Sequence, residues 1–154
     1  MNLFNGLTKL NLIMVSSNEL KTLEANLFKD LENLTEIDLS NNKIESIDLN
    51  IFQGLIKLSE LRLSGNQLKN LNSNHFNDLI RLKEIFLDGN QLESIDFMLF
   101  NNLKNLSFIN LARNKIESIE PRVFSNLKKL NHVILSQNPL NISKTDFKEL
   151  PISW

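Results

Sequence analysis

Leu10, Leu34, Leu58, Leu82, Leu106 and Leu130 stand 24 residues apart, and each opens the same pattern, L-x-x-[apolar]-x-[apolar]-x-x-N-x-[apolar]. The second apolar column reads Ile13, Ile37, Leu61, Ile85, Ile109 and Val133, and the third reads Val15, Leu39, Leu63, Leu87, Leu111 and Leu135. Every copy then has an asparagine, at Asn18, Asn42, Asn66, Asn90, Asn114 and Asn138, and two residues later an apolar side chain, from Leu20 to Leu140. A unit this short cannot enclose a core alone. Successive units have to stack and share one, so a fixed period of this size specifies a solenoid.

The columns divide each unit into two halves. The stretch L-x-x-L-x-L alternates, which suits a short strand with one buried face. Stacked copies place these strands parallel, about 4.8 Å apart, with the apolar residues in a common interior. The chain turns inward after the strand, where its backbone groups lose water. An Asn amide offers two donor hydrogens and an acceptor oxygen, so a column of them is expected to satisfy those groups from turn to turn. The second half carries Leu23, Ile47, Leu71, Ile95 and Ile119, then Phe28, Phe52, Phe76, Phe100 and Phe124 with Phe4 one period before them. Leu31, Leu55, Leu79, Leu103 and Leu127 follow, with Leu7 ahead of them. The Phe column is expected to reach the core from the wide outer side. Asp48, Asn72 and Asp96 are acceptable N-caps, and Pro121 after Glu120 suits a first helical position. A short helix or helical turn is expected there.

The pattern resembles the leucine-rich repeat family in its 24-residue typical form, LxxLxLxxNxLxxLxxxxFxxLxx, over nearly the whole chain. Toll-like receptors, Slit-type guidance proteins and other secreted or cell-surface animal recognition proteins are similar in spacing. The resemblance implies an α/β solenoid: a horseshoe with a parallel concave β-sheet and short helices or turns on its convex side. It also implies an extracellular or cell-surface setting. With no Cys in the chain, the redox compartment stays open and a cytoplasmic location is not excluded.

A single domain over 1–154 is expected. Residues 1–9 match the tail of a repeat; 10–33, 34–57, 58–81, 82–105 and 106–129 are full repeats; 130–154 is a modified last one. There Phe147 and Leu150 fall one residue early, and Pro151 and Trp154 are candidates to cover the end. Extracellular members of the family commonly close with Cys-rich caps, which this chain lacks. It is therefore either part of a longer protein or a short form capped by its own ends. The early apolar run "LNLIMV" is in register with the later strands and has no small-residue cleavage site after a basic start, so it reads as a strand and not a leader.

A net charge of −1 makes no electrostatic case for nucleic acid or a membrane surface, and no apolar run is long enough to span a bilayer. There is no Cys, no Tyr, no H-x-x-x-H and no Gly-rich phosphate loop. The histidines, His75 and His132, are assigned to opposite sides of the coil, His75 as a partly buried packing residue. No catalytic set, metal site or cofactor is expected, and the chain is read as a non-enzyme. Three N-x-[ST] acceptors, at Asn33, Asn105 and Asn141, are as many as chance gives in a chain so rich in Asn and Ser; if the protein is secreted, the first two sit at the sheet edge.

The candidate contact surface is the concave face, where solenoids usually bind. Its outward residues include Leu12, Glu36, Glu60, Glu84, Phe108 and His132 at one strand position, and Met14, Asp38, Arg62, Phe86, Asn110 and Ile134 at another. Glu36, Glu60 and Glu84 form an acidic column, with Arg62 and Lys83 near enough to offset it. The bland reading is a solvated face; the sharper one is a site for a cation or a basic partner. Phe86, Phe108, His132 and Ile134 form an apolar patch beside it, the composition of a protein contact site. Two functions fit: a recognition module of the immune or adhesive kind that binds a protein partner, or a structural or self-associating segment of a larger horseshoe.

Overall fold

The structure, a computed structural model, describes residues 3–154. Seven strands form one parallel sheet in chain order: β1 Leu12–Met14, β2 Glu36–Asp38, β3 Glu60–Arg62, β4 Glu84–Phe86, β5 Phe108–Asn110, β6 His132–Ile134 and β7 Ile152–Ser153. From β1 to β6 the register advances one period per strand, with Ile13 beside Ile37, Ile37 beside Leu61, and so on to Val133. Each of these strands is three residues long, and its central residue faces the interior. Parallel pairing follows from the repeat, because every turn must come back to the same edge before its strand starts again.

The leucine columns fill the core. Leu34, Leu58, Leu82 and Leu106 are fully buried, as are Ile37, Leu61, Ile85 and Ile109, whereas Leu10 and Leu130 at the two ends are only partly so. Phe28, Phe52, Phe76, Phe100 and Phe124 are buried on the convex side. The rings of Phe4, Phe28, Phe52 and Phe76 follow one another at 6.1–6.2 Å between centroids.

The asparagines form a ladder that always reaches backward. Asn66 donates from Nδ2 to the carbonyls of Leu63 in its own turn and Leu39 in the one before, at 3.1 and 3.0 Å. Its Oδ1 accepts from the Ile44 N–H at 3.0 Å. Asn42, Asn90, Asn114 and Asn138 repeat these contacts. Asn18 departs from the expected column: it is exposed and, among the described residues, bonds only to Val15 and Ser16 of its own turn. The residue before each Asn is left-handed in every turn, with φ between 53° and 66° at Ser17, Asn41, Gly65, Gly89, Arg113 and Gln137. Glycine accepts that conformation freely and Asn tolerates it, whereas Ser, Arg and Gln adopt it at a cost.

On the convex side, 3-10 helices cover Ser73–Phe76, Pro121–Phe124 and Lys144–Phe147, and the remaining described repeats make turns. Asn72 caps the first of these: its side chain accepts from the Asn74 N–H at 3.0 Å. Pro121 opens the second, as its fixed φ favours. Asp48 and Asp96 cap turns, accepting from Asn50 and Met98 N–H groups. The last turn is shorter. Ile152 pairs with Val133, 19 residues earlier in the chain, where a full period would be 24. Pro151 and Ser153 accept the Val133 and Leu135 N–H groups, and Trp154 meets the edge of Phe147 at 5.6 Å.

Candidate concave contact surface

With the central residue of each strand turned inward, its two neighbours are turned out. Along one row this aligns Glu36, Glu60 and Glu84 on adjacent strands, followed by Phe108 and His132. The parallel row aligns Asp38, Arg62, Phe86, Asn110 and Ile134. The carboxylates are therefore stacked at strand spacing, where like charges repel.

Arg62 links the two rows. It forms an ion pair with Glu60, although the carboxylate oxygen concerned makes no aligned hydrogen bond. Its guanidinium carbon also lies 4.2 Å from the centre of the Phe86 ring. Phe86 meets Phe108 at 5.1 Å between centroids, and Phe108 meets the His132 ring at 5.6 Å. His132 Nε2 lies 3.1 Å from the Ser153 hydroxyl, so β7 anchors the far end of this ladder. The result is a continuous strip, Arg62–Phe86–Phe108–His132, crossing β3 to β6.

Several placements differ from the sequence-based expectation. Phe86 and Phe108 face out but are half-buried, because each ring covers the other; Ile134 is also half-buried, while His132 is exposed. Asp38 points to the concave side yet is buried, its carboxylate accepting from the Ser40 N–H and hydroxyl at 2.9 and 2.5 Å. It is a turn-stabilising group and leaves the surface column. Lys83 does not offset the glutamates; among the described residues, the ion pair on this column is Arg62 with Glu60. Glu36 and Glu84 are half-exposed and have no ion pair or side-chain hydrogen bond among the described residues.

Asp88, which the sequence reading passed over, is a buried junction. Its carboxylate accepts from the Ser64 hydroxyl at 2.6 Å and pairs with Arg113 at 2.8 Å. The signal was present: an acid stands where most repeats have Ser, followed one period later by Arg113 in the next column.

His75 is fully packed on the convex side and does more than fill space. Its Nδ1 accepts from the Asn72 N–H at 3.0 Å, and its Nε2 lies 3.3 Å from the Ile47 carbonyl, completing the cap of the 73–76 helix. Among the described residues, no group of three or more His, Cys, Asp and Glu side chains is placed to hold a metal ion. At the acceptor sites, Asn33 and Asn105 use the nitrogen that would carry a glycan to hold the preceding turn, donating to the Thr8 and Ile80 carbonyls at 2.7 and 2.8 Å. Asn141 is exposed.

The BspA-type leucine-rich repeat model matches the chain in six copies, over residues 1–90 and 21–153. Among solved structures, a chain of the TLR13–ssRNA13 complex is 34% identical, with a TM-score of 0.87, over 97% of this chain and 21% of that one. The APL1 leucine-rich repeat domain is 21% identical at a TM-score of 0.84, over 91% of this chain and 36% of that one. A chain of the LRIM1/APL1C complex is 21% identical at 0.84, over 90% and 25%. This chain thus spans between a fifth and about a third of the length of those structures. No curated protein matched it. No helix among the described residues is long and apolar enough to cross a membrane.

Proposed function

The chain belongs to the BspA-type leucine-rich repeat family, and from that premise we propose that it is a non-enzymatic recognition module binding a protein partner across its concave sheet. The observation that carries the reading is the aromatic strip. Three rings in contact, on three adjacent strands, face outward from the sheet. Aromatic clusters of this kind, with polar residues around them, supply the anchors of protein interfaces. The similar solved structures include a chain of the LRIM1/APL1C complex and one of the TLR13–ssRNA13 complex. A protein partner is favoured here because the acidic column beside the rings repels phosphate. The likeness to these relatives supports an extracellular or cell-surface setting of the immune or adhesive kind.

The test is direct binding by a partner identified from the native source and purified. Phe86→Ser/Phe108→Ser is expected to lower affinity at least about tenfold, while Ile56→Ser/Ile80→Ser, exposed in the turns that precede β3 and β4, leaves it unchanged. Equal affinity for all three chains would sink the reading.

A structural or self-associating segment is the second reading. It rests on Leu12 and Met14, which are 40% and 61% exposed on β1. Light scattering decides it: a dimer that Leu12→Ser/Met14→Ser returns to monomer would favour this alternative.

A further inference from the structure

We propose that the segment recognised on the concave sheet is cationic: a stretch of partner protein with an Arg or Lys close to an apolar or aromatic residue. It lies across the strands, with its basic end over β2 to β4 and its apolar end over β4 to β6. This rests on the concave-face reading above and adds the chemistry of the partner.

The chain contains its own example of the contact. Arg62 sits between a carboxylate, Glu60, and the face of a ring on the next strand, Phe86. One strand further on, a carboxylate and a ring meet in a different arrangement, directly across the strands. Glu84 is the direct register neighbour of Phe108, so a carboxylate again adjoins a ring. Here the position that Arg62 fills in β3 is occupied in β4 by Phe86, and among the described residues no cation pairs with Glu84. The Glu84–Phe108 step therefore presents the two faces of a guanidinium or ammonium site with the cation left to the partner. Charge next to an aromatic face is favourable for such groups, and more so once water is excluded.

Glu36 extends the acidic end. It lies beside Glu60 and is likewise uncompensated. Glu36 and Glu84 each stand one strand spacing, about 4.8 Å, from Glu60, inside the screening length of about 8 Å at physiological salt. Their mutual repulsion is relieved when a cation binds and is worsened by an acidic segment or a phosphate backbone. From Glu36 to Phe108 is three spacings, about 14 Å, a distance that about four extended residues cover. That sets the separation between the basic and the apolar anchor.

A random peptide library selected on the folded chain tests this. Enriched sequences are expected to carry Arg or Lys within about four residues of an apolar or aromatic one. Synthetic copies should bind Glu36→Gln/Glu84→Gln about tenfold more weakly, and the wild-type chain more weakly as salt is raised. Neutral or acidic enriched peptides, or peptides indifferent to the Gln variant and to salt, overturn the cationic proposal. If those same peptides lose affinity for Phe86→Ser/Phe108→Ser, the concave-face reading survives. No enrichment, or binding indifferent to both variants, overturns the two together. Polyuridylate provides a counter-probe: tighter binding of this RNA than of the basic peptides also overturns the cationic proposal. Circular dichroism of each variant confirms that the chain under test is folded.

Discussion

Asn18 and Asn138 hold the same repeat position at opposite ends of the solenoid, and they behave differently. Asn138 is half-buried, reaches back to the Leu111 carbonyl and takes the Ile116 N–H. Asn18 is exposed and, among the described residues, stabilises only its own turn. The reason is directional. Each of the other rungs contacts the turn before it, and among the described residues no strand precedes β1 to offer Asn18 those bonds. Packing shows the same asymmetry in one column. Val15 is only partly buried where its counterpart Leu135 is buried, although in other columns the ends match: Ile13 and Val133 are both buried, Leu20 and Leu140 both partly so. At that end a shortened turn adds a strand and sets Trp154 against Phe147. The lesson is that identical sequence columns do not have identical energetic weight. A column residue matters in proportion to the neighbours on both of its sides.

The comparison can be broken by substitution. The largest effect is expected from Phe76→Ala, which empties a fully buried site and costs about 3–5 kcal/mol. Phe4→Ala, in the same column but partly buried, is expected to cost about 1 kcal/mol. Urea midpoints that shift equally would show the first turn to be as well packed as the middle.

Next comes the ladder. Asn66→Ala leaves backbone groups unsatisfied on two turns and is expected to cost about 1–3 kcal/mol. Asn18→Ala, and Asn70→Ala at an exposed variable position, should each cost under about 0.5 kcal/mol. A loss at Asn18 matching that at Asn66 would mean that the backward-reaching bonds carry little of the stability.

The smallest effect is a gain. Gln137 is exposed and left-handed, with φ at 59°. Gln137→Gly removes that strain, partly offset by the added freedom of the unfolded chain, for a net stabilisation of roughly 0.5–1 kcal/mol. A variant less stable than the parent in thermal melting would show that the Gln side chain contributes more than its backbone costs.

Most of the architecture was legible in the residues. The period, the strand half, the Asn column and the Phe spine are all visible because they repeat, and repetition distinguishes a constraint from an accident. The outward positions of Phe86, Phe108 and the three glutamates followed from alternation within a three-residue strand. Features carried by different residue types in each copy were not legible. The left-handed position is Ser, Asn, Gly, Gly, Arg and Gln in turn, so the two glycines and the asparagine hint at it but the other three copies hide it. The seventh strand comes too early for the period and lies beyond a proline.

Sequence by itself determined the solenoid, its parallel sheet and which side chains face inward, because those depend on spacing, and spacing is local. Tertiary structure alone decided what each outward residue does. Asp38 is withdrawn into a turn by Ser40, and Asp88 is consumed by Ser64 and Arg113. Glu60 is held by an arginine that also covers a ring, while Glu36 and Glu84 remain unpaired among the described residues. Charge and exposure at a surface position depend on which side chains from the neighbouring turns reach it, and that distance is set only when the turns are stacked.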